Sequence, residues 1–419
     1  MSDYLPEEIP LNENNSFDVV IVGGGVSGTA AALASARSGV RTLLIERDPY
    51  LGGIGYAGLL QHICGLYPNS DALPTGTLNH GIVQEIVSHL AKLSPQKTVI
   101  KMGLVYVLPY LRRDLLSVFD LMCSNERDLT VLRGTTVLSV ENTNGEITGL
   151  VINRSHTAYK IFPRVVIDCS GDGVVSEMAG ASFELLPQEQ LQMSAYTVRL
   201  KGIQDRDELL AIKVSYYLSD AIRKHMLPPL LRFSMFTPGD SPDEGYLKVN
   251  ISGLQSKDRD KKAFEYATSV HHYLSNTIPV LKGSYLADTS IRVVDREGRR
   301  VLGEYILTGD DIIHARKFDD GIAKGAWPIE LWDMQKGPVY RYVRSGDYYE
   351  VPLRSLKVKG IPNLLVAGRC ISASHEALGS TRVMGTCITL GEQAGIAASF
   401  RVRNGMYSRY GNEALNTSL

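Results

Sequence analysis

The hydrophobic pattern near the start of the chain predicts one β-α-β unit. Residues 17–22 are an apolar, β-branched run typical of a buried strand, and a glycine turn follows them. Residues 27–38 are rich in alanine and end at Gly39, which predicts a helix, and residues 41–46 predict a second strand. This order of elements is the repeating unit of doubly wound α/β folds.

The pattern changes between residues 186 and 355, where longer mixed segments are rich in tyrosine and charge. We therefore predict a doubly wound, Rossmann-like α/β domain formed by residues 1–185 and 356–419, with an inserted α+β domain over residues 186–355. The other predicted elements are helices over 78–95, 109–124 and 384–400, and strands over 136–141, 147–152, 165–168 and 363–366.

Composition narrows the class of protein. The chain is 44% hydrophobic and 21% charged, as expected for a globular protein with a large core. Lys and Arg total 44 against 45 for Asp and Glu, so bulk attraction to nucleic acid is not expected. The five cysteines form no C-x-x-C pair and no zinc-like spacing, which argues against both a dithiol redox centre and a metal site. Such scattered thiols are typical of a cytoplasmic protein.

Neither a signal peptide nor a transmembrane segment is expected. The first sixteen residues are acidic and lack the basic start and apolar middle of a signal peptide. The longest largely apolar run, residues 19–34, is interrupted by glycines, so a strand, a turn and a helix explain it better than a membrane span.

The glycine turn carries the strongest motif, Gly23-x-Gly25-x-x-Gly28, between a predicted buried strand and a helix. Gly23 allows the tight turn, Gly25 lets a pyrophosphate approach the backbone, and Gly28 lets the helix pack closely on the strand. Glu46 ends the next predicted strand, where a carboxylate accepts hydrogen bonds from ribose hydroxyls. The alternative, an ordinary glycine-rich turn, does not explain Glu46.

Three more glycine-containing sets follow predicted strands: residues 52–55, 170–173 and 366–369. Strand ends of this kind meet at the carboxyl edge of a parallel sheet, which suits an extended dinucleotide.

These stretches resemble the FAD-dependent oxidoreductase family, which has a glutathione-reductase-type fold, and more distantly the flavoprotein subunits of fumarate reductase and succinate dehydrogenase. The resemblance rests on the glycine motif, on VVIDCSGDG at residues 165–173, on RRVLGEY at residues 299–305, and above all on NLLVAGRCISASHEALGSTRVMGTCITLGEQAG at residues 363–395.

The resemblance implies FAD as cofactor and assigns roles along it. Glu46 would hold the adenosine ribose, Val137 would meet the adenine through its backbone, and Asp172 would lie near the pyrophosphate. The start of the last helix would face the pyrimidine edge of the flavin, where the helix dipole stabilises negative charge. The implied cofactor contacts are Gly23, Gly25, Val26, Ser27, Gly28, Glu46, Arg47, Gly53, Val137, Ser170, Gly171, Asp172, Gly368, Arg369, Gly385 and Thr386.

The chain also departs from the family pattern. Gly385 stands where family members often have proline, and a histidine that they often carry near Trp332 is absent here. The substrate of a better-known relative is therefore not transferred to this chain.

Arg382 and His375 are the candidate catalytic residues. Arg382 precedes the last predicted helix, where a guanidinium could hold a substrate carboxylate or a flavin anion; the alternative is an arginine that ties two loops together. His375 and Glu376 are predicted to lie in a loop facing the active site, where histidine exchanges protons near pH 7; the alternative is a structural His–Glu pair.

Two further groups remain open. In fumarate-reductase-like relatives a histidine on a comparable loop bonds covalently to the flavin, so His62 or Cys64 is an alternative to the noncovalent FAD that we expect. An aromatic segment either lines a substrate pocket or forms inserted-domain core or an oligomer contact; its members are Trp327, Trp332, Tyr340, Tyr342, Tyr348 and Tyr349.

The sequence predicts an enzyme that transfers a hydride between a small organic substrate and flavin N5. The chain has no second G-x-G-x-x-G for a nicotinamide cofactor, so oxygen, a quinone or a redox protein is expected as the electron partner. One alternative is an FAD-binding subunit of an electron-transfer complex, and another is a flavin-dependent RNA-modifying enzyme, which the balanced charge disfavours. Homo-oligomer formation stays open.

Overall fold

A computed structural model describes residues 15–205, 207–252 and 257–407. The acidic start of the chain lies outside these residues. The strands in the described part are β1 (Ser16–Val22), β2 (Thr42–Ile45), β3 (His62–Ile63), β4 (Ile100–Met102), β5 (Val105–Pro109), β6 (Leu129–Leu132), β7 (Thr135–Thr143), β8 (Glu146–Arg154), β9 (Thr157–Asp168), β10 (Phe183–Glu184), β11 (Ser194–Lys201), β12 (Met235–Pro238), β13 (Glu244–Ile251), β14 (Tyr285–Thr289), β15 (Arg300–Val301), β16 (Gly321–Gly325), β17 (Ile329–Asp333), β18 (Gly337–Arg341), β19 (Tyr349–Pro352) and β20 (Leu364–Val366).

The α-helices in the same residues are α1 (Val26–Arg37), α2 (Ile54–Ala57), α3 (Ile82–Leu93), α4 (Arg112–Ser124), α5 (Val174–Met178), α6 (Leu210–Arg223), α7 (Arg259–Thr277), α8 (Gly309–Ile313), α9 (His375–Thr381) and α10 (Met384–Asn404). No helix among the described residues is both long and apolar enough to cross a membrane.

The central sheet has seven strands in the order β6-β2-β1-β9-β8-β7, with β20 also paired to β9. Strands β6, β2, β1, β9 and β20 run parallel, and the register places Val22 beside Ile45 and Asp168, with Val366 also beside Asp168. The carboxyl ends of these strands therefore meet at one edge, which confirms the prediction of a Rossmann-like α/β fold.

The predicted β-α-β unit is confirmed as β1, α1 and β2. Two predicted helices are shorter than expected. Helix α3 begins at Ile82 because Gly81 before it has φ of 86°, outside the helical region. Helix α4 begins at Arg112 because the chain up to Pro109 is strand β5, antiparallel to β4.

The predicted loop around His375 is wrong, because residues 375–381 form helix α9. The Ser374 side chain accepts a hydrogen bond from the backbone N–H of Ala377, which caps the helix start. Ala377 and Leu378 are fully buried, so tertiary packing supports a helix of only seven residues.

Helix α10 packs against α1 with its backbone almost in contact. A Cβ atom at Gly391 would lie 1.9 Å from the carbonyl oxygen of Ser27, and one at Gly395 would lie 2.4 Å from that of Ala31. Only glycine fits at these two positions. This contact fixes the start of α10 relative to the glycine turn.

Two hydrophobic cores divide the molecule. The smaller core lies between the antiparallel sheet β12-β13-β11-β14 and helices α6 and α7, and its members run from Tyr196 to Val293. Side chains between Val301 and Leu356 pack into the larger core with the central sheet. Some side chains of residues 301–356 thus share a core with the central sheet, and the predicted domain boundaries at 185/186 and 355/356 stay a prediction.

Candidate functional site

The three motif glycines fill different roles in the turn after β1. A Cβ atom at Gly23 would lie 2.5 Å from the Cys169 carbonyl oxygen, and one at Gly28 would lie 1.7 Å from the carbonyl oxygen of Gly23. A Cβ atom at Gly25 would meet only the Cα atom of Gly53, at 4.0 Å. The protein itself therefore excludes side chains at Gly23 and Gly28 but leaves open space at Gly25, at the N-terminus of α1.

This open space fits a phosphate group. The first backbone N–H groups of α1 lack partners within the helix, and Gly25 provides no side-chain cap. A phosphate there would accept hydrogen bonds from those N–H groups at the positive end of the helix dipole. Val26, Ser27 and Gly53 border the same turn, whereas the Arg47 side chain is exposed.

Glu46 is held rigidly at the end of β2. Its side chain is buried, and its two carboxylate oxygens accept the backbone N–H groups of Gly24 at 2.5 Å and Asp48 at 2.8 Å. Burial raises the pKa of Glu46, and these two hydrogen bonds oppose that rise. A carboxylate has about four acceptor positions, so this one keeps capacity for ribose hydroxyls.

Asp168 organises the loop after β9. Its carboxylate accepts the hydroxyl groups of Ser170 at 2.6 Å and Ser176 at 2.8 Å. Gly171 and Asp172 follow in the same loop. The Asp172 carboxylate accepts a hydrogen bond from Arg369 Nη2 at 2.7 Å.

Arg369 carries a buried donor that is unused within the described residues, Nη1. Burial lowers the pKa of Arg369, but the carboxylates of Asp172 and Asp295 raise it above its ordinary value. Gly368 has φ of 90°, and its Cβ position lies 3.2 Å from the Ser27 Cβ atom. Ser27 and Gly368, two predicted cofactor contacts from the first and last parts of the chain, therefore lie close together.

The start of α10 is covered by the segment after β3. The backbone N–H of Gly385 donates to the Cys64 carbonyl oxygen at 2.9 Å, and a Cβ atom at Gly385 would lie 2.6 Å from the Gly65 carbonyl carbon. The close approach of Gly65 explains glycine at position 385. The buried Thr386 hydroxyl has no partner among the described residues, which leaves a polar atom for a ligand.

The remaining cofactor prediction concerns Val137. This residue lies on β7, opposite Ile152, and is partly buried. Its role toward the adenine stays a prediction.

Arg382 is the C-cap residue of helix α9 and lies two residues before α10. Its Nη2 atom donates to the backbone carbonyl of Glu330 at 2.9 Å, and its buried Nε atom has no partner in the described part of the chain. Burial lowers the pKa of Arg382, and Glu330 opposes the effect. An arginine with an unused donor at this point can bind an anion.

His375 pairs with a different glutamate from its sequence neighbour. Its Nδ1 atom lies 2.9 and 3.0 Å from the two carboxylate oxygens of Glu297, and the buried Glu297 also contacts Arg300. Glu376 instead accepts Arg341 at 3.2 Å near the surface. An ionised carboxylate can only accept hydrogen bonds, so Nδ1 carries the proton in a neutral His375 ring. The other ring nitrogen, Nε2, is then left for proton exchange.

A group of charged side chains lies beside Trp332 and was not predicted from the sequence. The Lys248 Nζ atom lies 4.4 Å and the Arg296 Cζ atom 4.0 Å from the centroid of the Trp332 ring. Lys248, Arg296 and Arg382 all interact electrostatically with Glu330, and we call these three residues the cation cluster.

Both tryptophans of the predicted aromatic segment bind the Glu330 carboxylate. Trp332 Nε1 donates at 2.7 Å and Trp327 Nε1 at 3.1 Å. Burial raises the pKa of Glu330, but the cation cluster and the indole hydrogen bond outweigh it, so the net shift is downward and the carboxylate stays ionised. Burial, with Arg296 nearby, lowers the pKa of Lys248 to about 8.

His62 and Cys64, the candidates for a covalent flavin link, lie close to this cluster. Burial lowers the pKa of His62 to about 4 and raises that of the Cys64 thiol to about 12. Both groups are therefore neutral near pH 7, and Cys64 is not the thiolate nucleophile that thiol chemistry uses.

The alternation of buried and exposed residues along β13 did not mark Lys248 as a functional residue. Its neighbours Leu247 and Val249 are buried in the smaller core, so Lys248 lies on the opposite face, where lysine is ordinary in a surface strand. Arg296 and Glu297 lie just before the RRVLGEY stretch, and their nearness to that motif was the available signal. No group of three or more His, Cys, Asp or Glu among the described residues is placed to hold a metal ion.

The parallel sheet, the glycine turn and Glu46 define a Rossmann-like dinucleotide-binding protein. The model of the FAD dependent oxidoreductase family matches residues 18–410. The chain therefore belongs to this family and is an FAD-dependent oxidoreductase.

The solved structures that match this chain are distant from it in sequence. One is a geranylgeranyl bacteriochlorophyll reductase-like protein from Thermoplasma acidophilum, with 14% identity, a TM-score of 0.49, and coverage of 96% of this chain and 83% of that one. Another is p-nitrophenol 4-monooxygenase from Pseudomonas putida, with 10% identity, a TM-score of 0.47, and coverage of 96% and 84%. A third is L-proline dehydrogenase from P. horikoshii, with 11% identity, a TM-score of 0.46, and coverage of 95% and 96%.

Proposed function

We propose that this protein transfers a hydride between a small organic substrate and N5 of noncovalently bound FAD. The observation that carries the proposal is Arg382, a half-buried arginine that lies two residues before helix α10 and whose buried Nε atom has no partner within the described residues. The open space at Gly25, the unused Nη1 of Arg369 and the unpaired Thr386 hydroxyl fit FAD. Bound FAD supplies the two-electron acceptor, and the side chains around it bind and orient the substrate.

Two residues would act on the substrate directly. Arg382 binds an anionic group of the substrate and stabilises negative charge that develops during the reaction. His375 accepts a proton at Nε2 when the substrate is oxidised and returns it in the reverse direction. Glu297 and Arg300 are positioning residues, because they fix the ring of His375 through Nδ1.

The cofactor and the reaction are tested separately. The purified protein is expected to be yellow and to release FAD, identified by chromatography, on heating. Release of FMN, or a colourless protein that ignores added FAD, would contradict the cofactor assignment. Anaerobic screening of small organic compounds should then find some that bleach the flavin absorbance. If none does, the proposed hydride transfer from substrate is wrong.

Electrons must also leave or enter by a second route. We propose oxygen, a quinone or a redox protein as the partner, because the sequence carries only one dinucleotide motif. Rates of flavin reoxidation after anaerobic reduction, measured with air and with a soluble quinone, distinguish the first two from a protein partner.

A further inference from the structure

The charges beside Trp332 do not balance. The cation cluster provides three positive charges, and Glu330 provides the one carboxylate among them. Other nearby carboxylates have closer cationic partners: Asp295 pairs with Arg259 at 2.5 Å, and Glu297 contacts Arg300, which also pairs with Glu184. Asp295 and Glu297 attract Arg296 and Arg382 only at longer range, so two of the three positive charges lack a carboxylate of their own.

Glu330 itself is only partly available to the cluster. Its two carboxylate oxygens accept the indole N–H groups of Trp327 and Trp332. No ion pair within 4.0 Å joins this carboxylate to Lys248, Arg296 or Arg382 in the described residues. The cations are thus attracted by Glu330 at longer range and keep donors for another partner.

The donors of the cluster are largely unused. The Arg382 Nε atom is buried without a partner in the described part of the chain. Arg296 is 6% exposed, donates to the Met193 carbonyl, and reaches the Asn250 side chain only at 3.4 Å. The Lys248 ammonium contacts the Trp332 ring but makes no side-chain hydrogen bond in the same described residues. Arg296 is buried and Lys248 and Arg382 are half-buried, so an anion that compensates their charge should stabilise the cluster.

We propose that the cation cluster binds the substrate as a dianion, a small molecule with two carboxylates or one phosphate group. The charge of the ligand follows from the two uncompensated cations. Guanidinium groups bind carboxylate and phosphate through paired N–H donors, and Lys248 adds a compact point charge. The inference rests on the proposed function, because Arg382 belongs both to the cluster and to the proposed catalytic residues.

Isothermal titration calorimetry on the oxidised, FAD-loaded protein tests the proposal. Malonate represents a dicarboxylate, methyl phosphate represents a phosphate ester, and malonamide is the uncharged control. We expect saturable binding of at least one dianion and none of malonamide. Malonate alone would identify a dicarboxylate substrate, and methyl phosphate alone a phosphate ester.

Two variants locate the binding site. Lys248→Met should weaken dianion binding about ten- to hundredfold, because it removes one charge-assisted hydrogen bond. Lys261→Met makes the same change at an exposed position on α7 and should leave binding unchanged. Glu330→Gln should strengthen binding, because it removes the competing negative charge; a merely structural role for the cluster does not predict tighter binding.

Absence of dianion binding, or equal binding by wild type and Lys248→Met, would overturn the inference. If Lys248→Met does not fold, weaker or unchanged binding in Glu330→Gln overturns it instead. Dianion binding without any compound that bleaches the flavin would count against the proposed hydride transfer alone. Bleaching by uncharged compounds without dianion binding would count against the dianion site alone.

Discussion

The glycine turn and the cation cluster each contain something that the folded chain does not complete. At the turn, backbone atoms occupy the space beside Gly23 and Gly28, but the space beside Gly25 stays open. At the cluster the side chains are packed closely, but positive charge exceeds negative charge. The glycine turn thus has open space for a ligand, and the cation cluster lacks compensating negative charge. Each feature indicates the chemistry of the ligand that would bind there.

The largest expected effect separates two glycines of the turn. Gly28→Val should destabilise the fold by about 3 kcal/mol or more, because its Cβ atom would lie 1.7 Å from a carbonyl oxygen. Gly25→Val should leave the melting temperature of the FAD-free protein nearly unchanged but abolish FAD binding. Thermal melts and FAD occupancy of both variants check this. Normal FAD occupancy in folded Gly25→Val would show that the turn does not bind the pyrophosphate.

Arg382→Ala is expected to lower turnover while the protein keeps FAD. Loss of one donor to developing negative charge costs about 3–4 kcal/mol, or about two to three orders of magnitude in rate. Arg382→Lys should recover only part of this, because an ammonium lacks the planar fork of the guanidinium. The flavin reduction potential should also become more negative in Arg382→Ala. An unchanged potential and unchanged bleaching by substrate would make Arg382 a structural residue.

Glu46→Gln tests the ribose end of the cofactor site with a smaller effect. FAD affinity should fall about tenfold to a hundredfold, because a charge-assisted hydrogen bond contributes about 1.5–3 kcal/mol. The amide oxygen can keep one of the two hydrogen bonds that Glu46 accepts from the backbone N–H groups of Gly24 and Asp48, so the fold should survive. Fluorescence titration of the FAD-free protein with FAD measures the change. Equal affinity in both proteins would remove Glu46 from the cofactor site.

The smallest effect concerns the pH dependence of dianion binding. The pKa of Lys248 is lowered to about 8, so the ammonium is charged below that pH and neutral above it. Dianion affinity should therefore be nearly constant between about pH 7, where the ligand itself is a dianion, and about pH 8, and fall as the pH rises further. Glu330 stays ionised and Cys64 stays a thiol in this range, and burial lowers the pKa of Arg296 to about 9, so the dependence on Lys248 is measured below that pH. Lys248→Met should lose this dependence, and a persistent dependence would contradict the assignment.

The two regions also differ in how far sequence could predict them. The glycine turn lies within six consecutive residues, and each glycine has a local backbone reason, so the motif was visible. The parallel strand ends that meet beside it followed from the same pattern. The cation cluster combines β13, the segment before β15 and the end of α9, which only tertiary packing brings together.

Helix α9 illustrates a second reason for missed features. A seven-residue helix forms little structure on its own, and it exists here because Ser374 caps it and the core buries it. The pairing of His375 with Glu297 could not be predicted either, because 78 residues separate them and Glu376 is the nearer partner in sequence. Such pairings are determined by packing rather than by local pattern.

The most direct test of the account is a titration of the visible absorbance of the FAD-loaded, oxidised protein with the dianion that binds best. Because the cation cluster includes Arg382, two residues before α10, a bound dianion should change the charge near the flavin and shift its spectrum saturably. The account predicts a spectral dissociation constant equal to the calorimetric one, and loss of the shift in Lys248→Met at the same concentration. An unchanged flavin spectrum at calorimetric saturation would contradict the claim that the cluster is the substrate site.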